Sequence, residues 1–177
     1  SQQFMLTAHN AAGASIPTTI YVHFRCPYAF FFAPAPEYCP DGPAQTRTVV
    51  EQAFEGGRLL WIPNEGGAVI YALFPDGQVY GAADLWSAGQ PESDPALTPP
   101  AGRFQPVRGF GKFWRETAWV RERLGWALAP EQSYDTLYQE ETGGIDWKGW
   151  NYFVRSADGR VLHLTGHYVT YSWRYLD

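Results

Sequence analysis

The sequence predicts a mainly β protein: antiparallel meanders and hairpins in two related halves, one amphipathic helix near residues 111–124, and long Pro-rich loops. Three observations carry this. Short segments alternate β-branched or aromatic residues with polar ones. Gly-Gly and Asp-Gly pairs recur between them where hairpin turns need positive φ. Most of the 14 prolines fall in two stretches where no regular helix is able to run.

Residues 1–17 are small and polar apart from Phe4, Met5 and Leu6, and residues 4–7 suffice for one short strand. Residues 18–24 read as a strand, with Ile20 and Val22 alternating with Tyr21 and His23. The segment 26–43, holding Pro27, Pro34, Pro36, Pro40 and Pro43, is an ordered loop. A meander begins near Gln52. It has a strand at 58–62 after Gly56-Gly57, another at 69–74, and an Asp76-Gly77 turn into 78–80. Residues 87–106 form a Pro-rich linker. It separates 1–86, an arm plus the first β unit, from 107–177, the helix plus the second, the halves packing as one domain. In the helix, Phe113, Thr117, Val120 and Leu124 share a stripe, and Gly125 is the expected stop. Strands at 151–155, 160–164 and 167–175 complete the chain, the first two joined at Asp158-Gly159.

Composition narrows the function. The 177 residues carry 8 Trp, 11 Tyr and 11 Phe but only 18% charged residues. Rings at this density fill a core between sheets or face a partner. The net charge is −5 and no Lys/Arg stripe exists, which argues against nucleic acid and an anionic membrane surface. The apolar runs are too short to insert in a bilayer. A start at Ser1 without a signal-like segment leads to the expectation of a processed, secreted chain. Cys26 and Cys39, the only 2 cysteines, suggest one disulfide in an oxidising compartment; the alternative is two reduced, buried thiols.

The halves echo each other. Gln52, Gly56-Gly57 and Asp76-Gly77 in the first are matched with Gln139, Gly143-Gly144 and Asp158-Gly159 in the second. The stretch Phe54-Glu55-Gly56-Gly57-Arg58-Leu59-Leu60-Trp61 resembles the core of the LGFP repeat, and Leu124-Gly125-Trp126 followed by Glu131 resembles the opening of such a unit. Ala127 stands where that pattern has Pro. The resemblance implies a secreted, cell-envelope-associated, non-catalytic module.

Signals for chemistry are sparse. His163 and His167, in a segment read as strand, lie too far apart for one metal ion unless Thr165-Gly166 turns the chain, and no metal or organic cofactor is expected. Glu140, Glu141 and Asp146, near Trp147 and Trp150, are the one acidic cluster that a glycoside hydrolase reading could use. No nucleophile elbow or phosphate loop occurs. Interface candidates are Phe4, Met5 and Leu6 in the arm, Trp147 and Trp150, and Trp119 with Arg115 and Arg123. The 3.6-residue period puts Trp119 on the polar side of the helix, either covered from two sides or exposed as an anchor.

Three functions follow in order: a non-enzymatic secreted assembly subunit, as of an extracellular filament joined by N-terminal strand addition; a glycan- or envelope-binding module using Trp and Tyr; and the hydrolase.

Overall fold

The computed structural model describes residues 2–22, 25–142, 149–167 and 170–176. It is a mainly β structure. Strands β1 (Gln2–His9) and β2 (Ser15–Val22) form a two-stranded hairpin of their own. A first meander follows in β3 (Gln45–Phe54), β4 (Gly57–Asn64), β5 (Gly67–Leu73) and β6 (Val79–Ala83). Helices α1 (Arg108–Glu116) and α2 (Ala118–Leu124) precede a second meander of β7 (Gln132–Glu141), β8 (Gly149–Arg155), β9 (Val161–His167) and β10 (Thr170–Leu176).

The two meanders join into one antiparallel sheet ordered β10-β9-β8-β7-β3-β4-β5-β6. That order reads alike from both ends, so the halves are related by a pseudo-twofold between β3 and β7. Its centre is the facing pair Thr48 and Asp135, 87 residues apart and joined by a 2.6 Å hydrogen bond from the Thr48 hydroxyl. Gly56-Gly57 and Gly143-Gly144 keep this spacing in the sequence. The Asp-Gly pairs do not correspond: Asp76-Gly77 turns β5 into β6, whereas Asp158-Gly159 turns β8 into β9.

The sheet curls until its two edges touch. Gln78 and Ser172 form one antiparallel bridge, and Trp173 donates its backbone N–H to the Gly77 carbonyl and its indole N–H to the Phe74 carbonyl, both at 2.8 Å. Alternation along each strand then makes two apolar layers. Leu60, Ile62, Tyr71, Leu73, Val154 and Leu162 face the inside. Leu59, Ile70, Ala72 and Phe74 face outward beneath Phe110, Phe113, Trp114, Val120 and Leu124 of the helices. Burial on both faces explains why residues 69–74 read as an unbroken apolar run.

The single helix expected at 111–124 is two. The chain leaves helical geometry at Thr117 (φ −110°, ψ 83°) and restarts as α2. The break reorients Trp119, which in a continuous helix would point away from the sheet; its ring instead packs 5.9 Å from Phe74 and 4.9 Å from Tyr80. Gly125 ends α2 as expected, with φ 69°. Its neighbours bring the two LGFP-like stretches together: Gly56 N–H donates to the Leu124 carbonyl at 2.8 Å and Glu55 N–H to that of Trp126 at 3.1 Å.

On the second half the outer cover is the loop closed by the Cys26–Cys39 disulfide. Phe30 and Phe32 pack on Phe153 with ring centres 5.1 and 5.0 Å away. Buried Gln139 of β7 donates to the Ala29 and Gly42 carbonyls and accepts from Phe31 N–H. One meander is thus covered by helices, the other by a loop.

Candidate functional site

The β1–β2 hairpin stands apart from both apolar layers. Residues 3–21 are exposed throughout. Strict register pairs Phe4 with Ile20, Leu6 with Thr18 and Ala8 with Ile16, which gathers Phe4, Leu6, Ile16 and Ile20 on one face. Met5 is 70% exposed and Ile16 75%, values more typical of charged side chains. The turn is built locally: Asn10 Oδ1 accepts from the N–H groups of Ala12 and Ala14. Residues 1–22 contain no Asp, Glu, Lys or Arg. The expected strand at Phe4–Thr7 therefore exists and is longer, and its partner is the strand read at 18–24, of which residues 23 and 24 lie outside the described residues.

A second concentration of rings lies at one end of the curled sheet. Trp150 stacks on Tyr152 at 4.5 Å and on Tyr171 at 5.9 Å. Gly166 makes room for that ring, since a Cβ there would meet it at 2.4 Å. Tyr71, Tyr138 and Tyr152, with Arg47, Asn64 and Glu140, line a cavity of about 320 Å³, within the roughly 300–1,000 Å³ of small-molecule sites. The Arg47 guanidinium sits 3.9 Å above the Tyr138 ring, and the Tyr138 hydroxyl donates to Glu140 at 2.9 Å. Burial, reinforced by the Glu140 charge, pushes the Tyr138 and Tyr152 phenols above their ordinary range, so both stay protonated donors. Of this set only Trp150 and Glu140 were candidates from sequence; Trp147 and Asp146 lie outside the described residues.

Trp119 is 45% exposed, but Arg115 and Arg123 do not flank it as free cations. Arg123 pairs with Asp76, donates to Gln78 and covers the Phe74 ring; Arg115 reaches the Glu92 carbonyl. Glu140 and Glu141, consecutive on β7, point to opposite faces. Glu140 meets Tyr138, while Glu141 accepts from Asn151 Nδ2 at 2.6 Å. These two carboxylates do not face each other across a cleft, as glycoside hydrolysis requires. His163 and His167 lie on the one continuous strand β9, and no group of three or more potential metal ligands exists among the described residues. None of the helices among those residues is long and apolar enough to cross a membrane.

Comparison with known proteins finds no family model that matches the chain, and no significant match among curated proteins or solved structures.

His163 is packed under the disulfide loop, stacked on Phe153 at 4.7 Å with Nε2 2.7 Å from Asn151 Oδ1. Burial, then the Arg174 charge, lowers its pKa from 6.5 to about 4. Between these values the unfolded chain takes up a proton that the folded chain refuses. Its contribution is therefore complete above pH 6.5 and is lost as pH falls toward 4, by about 3 kcal/mol, of which about 2 kcal/mol is lost by pH 5. Urea unfolding of wild type and His163→Gln at pH 7 and pH 5 checks this: the variant should lose less stability on acidification. Equal losses would remove His163 from the acid response.

Proposed function

We propose that this chain is a non-enzymatic structural subunit of an extracellular assembly, a filament at the cell surface, joined by its N-terminal hairpin. The observation that carries this is the exposure of residues 3–21, with Phe4, Leu6, Ile16 and Ile20 on one face. A lone two-stranded hairpin is marginal in water, and exposed strand edges beside an apolar face invite pairing with another chain. The occupant proposed is a second copy of this chain. An arm that leaves one subunit and enters the next makes a heterologous contact, which propagates when its rotation does not close. The disulfide supports an oxidising compartment, and the LGFP-like stretches support a place at the cell envelope.

Deletion of residues 1–22 is the test. The truncated chain should unfold within about 0.5 kcal/mol of wild type, as expected for loss of surface away from the core, and remain monomeric in sedimentation and electron microscopy under conditions where wild type assembles. Assembly that survives the deletion refutes the proposal.

The Tyr71, Tyr138, Trp150 and Tyr152 cluster favours a second reading, a glycan-binding module. Protonated phenols and Arg47 supply donors, Glu140 an acceptor, and the rings supply stacking faces. A wild-type protein that stays dispersed, is retained on a polysaccharide resin and loses retention on Tyr152→Ala would favour it over assembly.

A further inference from the structure

We infer that the outer edge of β6 is the acceptor into which the hairpin of another copy docks. This rests on the assembly reading above and adds the receiving surface. β6 ends the sheet order. The bridge Gln78–Ser172 and the bond from Trp173 N–H to the Gly77 carbonyl join it to β10 only at its start. Among the described residues, Val79 to Ala83 pair with β5 alone, so there one row of backbone N–H and C=O groups has no strand partner beside the seam.

Natural edge strands are guarded by charges, prolines or bulges. Val79, Tyr80, Gly81, Ala82 and Ala83 include no charged residue and no proline, and Gly81 and Ala83 are exposed. Small side chains here leave room for another strand at the ordinary spacing of about 4.8 Å. Trp119 stands alongside, half-exposed, its ring 4.9 Å from that of Tyr80; a docked strand would cover it. The arm matches in kind. β1 and β2 are 8 residues each against 5 in β6, both are uncharged, and every second side chain of β1, Phe4, Leu6 and Ala8, offers apolar surface to the Trp119 side. The rest of the chain is net negative, so uncharged donor and acceptor strands avoid the like-charge repulsion that two acidic surfaces would meet.

A complementation experiment tests the edge separately from the arm. Ala83→Lys leaves the arm intact and charges the edge; deletion of 1–22 leaves the edge intact and removes the arm. Each alone should stay monomeric, with Ala83→Lys raising the concentration at which assembly begins by roughly tenfold or more. Mixed, the two should form a 1:1 dimer that grows no further, because one supplies only an arm and the other only an edge. If Ala83→Lys assembles like wild type while the deletion does not, the arm joins subunits at another surface and the β6 assignment is overturned. If neither change affects assembly, the assembly reading itself fails. Ala83→Glu, of opposite sign, should act like Ala83→Lys, and thermal midpoints report whether each variant folds. A peptide of residues 2–22 separates the two questions: it should suppress wild-type assembly if the arm joins subunits at all, and it should bind wild type but not Ala83→Lys if β6 is the acceptor; equal binding to both proteins would overturn the β6 assignment.

Discussion

Alanine at Gly56 is expected to be among the most damaging single substitutions in the chain. Its Cβ would lie 2.0 Å from the Arg123 carbonyl oxygen and 3.1 Å from the carbonyl carbon, both backbone atoms. That carbonyl cannot swing away cheaply. It belongs to the last turn of α2, and the next carbonyl, of Leu124, accepts the Gly56 N–H at 2.8 Å. Glu55 and Trp126 are locked to each other as well, since the Trp126 N–H also donates to Glu55 Oε2 at 3.0 Å. Relief therefore means lifting the β3–β4 turn off the helix and uncovering Phe54 and Leu124, both buried. Overpacking typically costs 1–3 kcal/mol, and a clash with backbone belongs at the upper end, about 3 kcal/mol. For a chain of this size that is a fall of about 6–12 °C in melting temperature. Calorimetry provides the measurement, and Gly66→Ala the control: a Cβ there meets only Asn64 Oδ1, at 3.7 Å, and the change should stay within about 0.5 kcal/mol. Equal melting temperatures for Gly56→Ala and wild type would mean that the turn is not seated on α2.

The residues around Gly56 also show what was legible. β4, β5, β6, β8 and β9 are bounded by Gly-Gly, Asn-Glu-Gly-Gly and Asp-Gly turns, whose backbone demands few other residues meet, and their cores are short runs rich in apolar and aromatic residues. β3 and β7, the pair that unites the halves, were missed over most of their length. Each buries polar side chains, Glu51 and Gln52 in one, Thr136, Gln139 and Glu141 in the other, so hydrophobic periodicity fails there. Hydrogen bonds replace it: Glu51 accepts from the Tyr134 and Ser156 hydroxyls, and Gln139 holds the disulfide loop. The remaining signal was β-branched and aromatic spacing, Thr46, Thr48 and Val50 against Tyr134, Thr136 and Tyr138. The break at Thr117 left no trace in a 3.6-residue stripe, because Phe113, Val120 and Leu124 stay buried on either side of it.

The candidate sites were legible as residue types rather than as places. Phe4, Met5 and Leu6 stood out as apolar residues in a polar arm, and Asn10 to Gly13 carried turn chemistry that would have paired β1 with β2. Trp150 stood out as an aromatic, with Tyr152 two residues along the same strand, but its companions Tyr71, Tyr138 and Tyr171 come from three other stretches of sequence. Only the pairing of β3 with β7 and the curling of the sheet bring them to one end. Glu140 and Glu141 show the converse: adjacency in sequence suggested a shared site, and the two-residue period of a strand sends them to opposite faces.

Opening the Cys26–Cys39 disulfide is the other change expected to have a large effect. The closed segment separates the cysteines by 13 residues, and releasing a ring of that size from the unfolded chain removes about 3 kcal/mol of stability in the loop-entropy account. The ring also lies over the second meander. Phe30 and Phe32 cover Phe153, and Phe153 in turn stacks on His163, so undocking exposes an aromatic face that no helix covers. Gln139 opposes release by holding Ala29, Phe31 and Gly42 through three hydrogen bonds, so the opened loop is expected to remain docked while more easily displaced. Cys26→Ala/Cys39→Ala should therefore fold, melt about 6–12 °C below wild type, and become cleavable by protease between residues 26 and 43 while the sheet survives. Adding Gln139→Leu leaves those three backbone groups without their partner, at about 1 kcal/mol each, and should turn slow cleavage of the loop into rapid cleavage. An alanine pair that melts with wild type and resists cleavage would mean that the loop is held by Gln139 and the phenylalanines alone. The disulfide would then have no part in keeping the second meander covered.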